Sequence, residues 1–148
     1  MTVAVRPAPV IPASAAELTA PHVAHVERFG SGDRAWIDWP ADTGRAVLMI
    51  HGFNVQAHTW DPVAQALAGR ARFICPDLRG HGRSAWSEDG YRAQDFADDL
   101  VELMAHLGID GCDVVGHSLG ARVALAFCDR WPGTVGRLVL SDGGPEHC

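Results

Sequence analysis

Apolar positions along the chain fall into two kinds of run. Ala46–Ile50 (AVLMI), Phe73–Cys75, Asp113–Val115 and Val135–Leu140 are short and lack the in–out alternation of a half-exposed strand. Strands of this kind are buried on both faces, as in a parallel sheet. Between them the spacing becomes helical. Phe96, Leu100, Leu103, Met104 and Leu107 recur at steps of 4, 3, 1 and 3. That spacing predicts an amphipathic helix stopped by Gly108. Asp61-Pro62 supplies a cap and a first-turn residue for a helix to about Ala68. A third helix is predicted from Leu119 to Arg130, ending before Pro132-Gly133. Upstream, the strand-like runs His22–Phe29 and Ala35–Trp39 flank Gly30-Ser31-Gly32-Asp33, and a hairpin follows. The order is hairpin, then β-α-β-α-β-α-β. It predicts an α/β fold with a mostly parallel sheet and helices on both faces.

Composition narrows the class. Of 148 residues 47% are apolar and 20% charged, so the chain is not intrinsically disordered. Twelve basic residues, all arginine, stand against 18 acidic ones, a net charge of −6. This argues against nucleic-acid binding, which needs basic patches to neutralise phosphates. No apolar run reaches the ~18 residues of a membrane span. Residues 1–21 hold four of the nine prolines and no periodicity. They are expected to form a flexible tail before a single domain over 22–148. They do not read as a secretory signal, and a cytoplasmic protein is expected. The four cysteines form no CxxC pair, and three lie in apolar contexts that suit buried thiols.

Three segments bear on chemistry. Gly116-His117-Ser118-Leu119-Gly120 matches G-x-S-x-G, with a predicted strand entering and a predicted helix leaving. Such a turn holds the serine in a strained conformation above the carboxyl end of the sheet, and the glycines let the two arms pass closely. His51-Gly52-Phe53 follows the AVLMI strand. An ester under attack becomes a tetrahedral oxyanion, which needs two preorganised donors. The backbone N–H groups of Leu119 and Phe53 are the candidates. His51 is expected to brace its loop rather than move protons, and Trp60 to pack. Asp77-Leu78-Arg79-Gly80-His81-Gly82-Arg83-Ser84 lacks the lysine and spacing of a phosphate loop, so a structural turn is expected there.

HGF, DLRGHGRS and GHSLG in this order resemble the α/β-hydrolase family, over roughly residues 22–145. The nearest resemblance is to its serine esterase, lipase and carbon–carbon-bond hydrolase branch of single-domain members. It implies a hydrolase acting on carboxylic esters or related acyl compounds, with Ser118 as nucleophile and an acyl-enzyme intermediate. Serine at 118 disfavours the branches with an aspartate nucleophile, the haloalkane dehalogenases and epoxide hydrolases. The resemblance implies no metal and no organic cofactor, and a small-molecule acyl substrate as partner.

The family's triad runs in the order Ser, acid, His. Six strands are expected here against the family's eight, so the resemblance covers the front part of the fold. Seven of the eight histidines precede Ser118, and His117 should turn away from the hydroxyl. Asp142 and His147 are the remaining candidates for acid and base. The competing reading makes Asp142 a turn cap and leaves His147 at the chain end. On this basis the 148-residue chain is expected to be a truncated form, weakly active or inactive. The sixth strand is expected to be an exposed apolar edge, open to self-association. The alternative function is a non-catalytic binding or oligomerisation module that keeps the front of the fold.

Overall fold

The computed structural model describes residues 19–30 and 32–143. Six strands form one mixed sheet: β1 (Val23–Phe29), β2 (Gly32–Trp39), β3 (Ala46–Ile50), β4 (Arg72–Pro76), β5 (Cys112–His117) and β6 (Val135–Ser141). The spatial order is β1-β2-β4-β3-β5-β6. β1, β2 and β4 pair antiparallel, and β4, β3, β5 and β6 pair parallel. The hairpin forms with a shorter turn than expected. Phe29 pairs with Gly32, so Gly32 and Asp33 belong to β2, and Gly30 turns the chain at φ 57°. Only residues 19–21 of the expected tail are described. The Thr19 and Ala20 N–H groups both donate to Gln65 Oε1 at 2.9 Å.

Three helices connect the parallel strands: α1 (Asp61–Ala66), α2 (Ala93–His106) and α3 (Leu119–Arg130). A 3₁₀ turn at Ala57–Trp60 precedes α1. Asp61 therefore does not cap α1, because Trp60 occupies the cap position and Asp61 is already helical. α2 begins earlier than the apolar spacing showed. Its first turn is polar, and Asp95 Oδ2 accepts the Arg92 N–H at 2.8 Å.

Two cores lie on opposite faces of the sheet, and the strands divide their side chains between them with the expected period of two. Leu48, Ile50, Ile74 and Val114 join Phe96, Leu100, Leu103 and Met104 of α2 and Val123, Ala124 and Phe127 of α3. Met49, Phe73 and Cys75 join Ile37, Trp39, Trp60 and Ala64 on the other face. Trp60 packs, as expected. The sheet's two outer strands are the least buried, and on β6 Leu138 and Val139 are exposed. Among the described residues no helix is long and apolar enough to cross a membrane.

Candidate functional site

β5 ends at His117, α3 begins at Leu119, and Ser118 is the single residue between them. Its backbone sits at φ 52° and ψ −114°, a conformation L-residues avoid. Three glycines allow the strain to persist. A Cβ at Gly116 would sit 2.8 Å from Ala121 Cα, and one at Gly120 2.7 Å from His51 O. A Cβ at Gly52 would lie 2.9 Å from His117 Nδ1 and 3.3 Å from Ser118 Cβ. The His51–Phe53 turn is thus pressed against the serine, as its place after β3 requires. The Ser118 N–H donates to Ser141 O at 2.9 Å, which fixes the elbow to the end of β6. No described side chain hydrogen-bonds the Ser118 hydroxyl, which remains half-buried.

His51 is fully buried and braces two loops. Its Nε2 accepts the Leu78 N–H at 3.0 Å. The proton must then reside on Nδ1, which donates to Gly52 O at 2.7 Å. Burial pushes its pKa below the ordinary value, so the ring is held neutral. The segment from Asp77 to Ser84 is braced in turn. Asp77 accepts the N–H groups of Ala57 at 2.7 Å and Arg83 at 2.9 Å. Ser84 donates to Asp77 O at 2.7 Å and accepts the Ala35 N–H at 3.0 Å. Arg79 reaches both oxygens of Asp99 at 2.6 Å, and Asp99 also pairs with Arg34. These bonds tie Asp77, Arg79 and Ser84 into the fold without any ligand.

Asp142 stands just past β6, next to the strand that carries Ser118, as expected from its position. Its carboxylate lies 3.8 Å from His117 Nε2 and is 83% exposed. His117 is therefore turned toward Gly52 and Asp142. His147 lies outside the described residues. The structure thus brings together Ser118, Leu119, Phe53 and Asp142 at one end of the sheet. The described cysteines offer no second nucleophile. Burial pushes the Cys112 thiol up to about 11 and raises Cys75 and Cys128 as well.

A half-open groove of about 1010 Å³ adjoins the elbow through Leu119 and Arg122. Phe53, Val55, Trp86 and Tyr91 form an apolar rim, with Phe53 and Trp86 66% and 81% exposed. Trp86 leans over Gly80, where a Cβ would lie 3.4 Å from the indole. His58 is also on the groove wall, with Nδ1 2.7 Å from Oδ2 of the buried Asp61. Sequence reasoning passed over His58, Trp86 and Tyr91. The spacing of His58 and Asp61 was a legible signal, since residues three apart share a helix face.

A mixed sheet with a parallel β4-β3-β5-β6 half and a strained serine between a strand and a helix is the architecture of an α/β hydrolase. The chain belongs to the α/β hydrolase fold family, whose model it matches over residues 45–148. It is similar to an esterase of Mycobacterium tuberculosis, 38% identical over 122 residues that cover 82% of this chain and 40% of that protein. A soluble epoxide hydrolase of a Corynebacterium species is 36% identical over 102 residues, 69% of this chain and 36% of that one. A solved structure of an N-acyl homoserine lactonase with N-butanoyl homoserine superposes with a TM-score of 0.76 at 30% identity. It covers 83% of this chain and 46% of the other. The chain spans between 30% and 40% of the length of the curated relatives it matches.

Proposed function

We propose that this chain is part of a serine hydrolase that cleaves carboxylic esters or related acyl compounds. The observation that carries the proposal is Ser118 at φ 52°, held between β5 and α3 with the turn after β3 against its Cβ. Strain of this kind costs about 1–3 kcal/mol and persists where the surroundings enforce it, most often at functional sites. Ser118 Oγ attacks the acyl carbon and forms a tetrahedral oxyanion. The Leu119 N–H, at the start of α3, and the Phe53 N–H are the proposed donors to it, and the helix dipole adds positive potential there. Collapse expels the alcohol and leaves an acyl-enzyme, which water hydrolyses. Among the family relatives are an esterase, a lactonase and an epoxide hydrolase. A serine at position 118 favours acyl chemistry over epoxide opening.

Asp142 is the candidate acid and His147 the candidate base, carried from their sequence positions. The His117–Asp142 separation of 3.8 Å supports a competing role, in which Asp142 pairs with its neighbour across the strand end. A serine without an adjacent base is a weak nucleophile. Where a triad acts as a unit, loss of the histidine costs on the order of 10⁶ in rate. The 148-residue chain is accordingly proposed to be weakly active or inactive by itself: no imidazole among the described residues hydrogen-bonds Ser118, and His147 is offered as base on its sequence position alone. A fluorophosphonate probe tests both statements. Slow labelling that disappears in Ser118→Ala supports the nucleophile and the weak activity. Labelling at the rate of a complete serine esterase would sink the weak-activity reading, and labelling that survives Ser118→Ala would sink the nucleophile.

A further inference from the structure

The His58–Asp61 pair has no part in the chemistry above, and its construction is unusual for a surface histidine. Asp61 is 2% exposed, yet Oδ1 has no hydrogen-bond partner, and Oδ2 is used for the imidazole alone. Burial of a carboxylate with so few partners is unfavourable unless its charge is used. Here it is used on His58, whose side chain is 52% exposed on the groove wall. Because Nδ1 is committed to Asp61, Nε2 is the nitrogen left for a ligand. The same arrangement orients histidines that bind metals or move protons. His58 and His81 line the groove together with Tyr91 and Arg122, and no carboxylate lines it among the described residues. The chain carries a net charge of −6, so the absence of acidic groups from this wall runs against its composition.

We propose that His58, held by Asp61, is a specificity-determining residue that binds a carboxylate on the far end of an acyl substrate. It rests on the reading of the groove as the acyl site of Ser118. The apolar rim of Phe53, Val55, Trp86 and Tyr91 takes the hydrocarbon part. In the complex the imidazole is flanked by two carboxylates, the ligand's accepting from Nε2 and Asp61 accepting from Nδ1. The ligand class is therefore a half-ester or related compound with one cleavable acyl group and one free carboxylate.

Monomethyl adipate and dimethyl adipate differ only in that distal charge, and they serve as probes. Binding is measured by NMR chemical-shift titration on the Ser118→Ala chain, so hydrolysis plays no part. A charge-assisted hydrogen bond at a half-exposed site predicts about tenfold tighter binding of the monoester. In the His58→Gln background the preference of the monoester over the diester falls to about twofold or less. Equal affinities for the two probes, failure of both to bind, or a preference that survives His58→Gln would each overturn the assignment. These results are independent of fluorophosphonate labelling. Ser118-dependent labelling with no monoester preference would leave the hydrolase reading standing and remove His58 from it.

Discussion

Gly120→Ala puts two physical effects in opposition at one position. Gly120 lies in the first turn of α3, and alanine is favoured over glycine in a helix by about 1 kcal/mol. Propensity alone thus predicts a more stable protein. Packing predicts the reverse. The new methyl would lie 2.7 Å from His51 O and still closer to Ile50 O, where about 3.3 Å is an ordinary carbon–oxygen approach. Both obstacles are backbone in and just after the central strand β3, so neither can swing aside as a side chain would. Overpacking of this kind costs about 3 kcal/mol, the upper part of its usual range. The net expectation is a loss of about 2 kcal/mol. For a chain of this size that lowers Tm by about 6–8 °C. Thermal unfolding followed by circular dichroism, with urea midpoints as a second measure, reads the change. Gly44→Ala is the control. A methyl there meets nothing within 4 Å, and its φ of 66° is the sole source of cost, about 1 kcal/mol. A Gly120→Ala chain as stable as the parent, or more so, would refute the close approach of α3 to β3. The position of Ser118 above the sheet would then need another explanation.

The remaining predictions concern the supports around the elbow. Burial lowers the His51 pKa from an ordinary 6.5, so below that value the unfolded chain takes up a proton that the folded chain excludes. Stability supplied by the neutral ring is full above pH 6.5 and is lost as pH falls toward the folded pKa. Urea midpoints measured from about pH 8 to about pH 5.5 should fall more steeply for the parent than for His51→Gln, and parallel curves would contradict the buried neutral ring. Asp99 is 7% exposed between Arg34 and Arg79. Asp99→Asn removes the buried charge that Arg34 and Arg79 share, leaving Arg34 the more distant Glu102 at 3.9 Å, and should cost about 3 kcal/mol in urea unfolding. A loss under about 1 kcal/mol would mean that solvent screens the network.

Much of this architecture was legible because it follows from periodicity. The continuous apolar character of Ala46–Ile50 marked a strand buried on both faces, and Leu48 and Met49 indeed enter opposite cores. Leu119–Arg130 was bounded correctly by the elbow before it and Pro132-Gly133 after it. Errors gathered where local chemistry outranks pattern. Asp61 looked like a cap from its place before proline, but the 3₁₀ turn brings His58 onto its carboxylate and moves the cap to Trp60. The hairpin turn was drawn too wide because Gly32 and Asp33 favour turns, while pairing with β1 extends β2 to include them. The direction of β2 against β4 lay beyond reach, since antiparallel and parallel neighbours share one apolar pattern on a covered sheet. At the site, the elbow and the turn after β3 could be read from glycine spacing. The groove could not, because Trp86 and Tyr91 reach it through a long irregular segment with no period.

The sheet order places β5 next to last, with β6 outside it. Ser118 follows β5 directly, and its N–H already hydrogen-bonds the end of β6. Neighbouring strands lie about 4.8 Å apart, so a strand laid along the free side of β6 would run roughly 10 Å from β5. The elbow therefore sits near a border of the described sheet rather than in its interior. Among the described residues no strand pairs with the outer side of β6, and a polypeptide that did so would bring its own side chains within two strand widths of the serine.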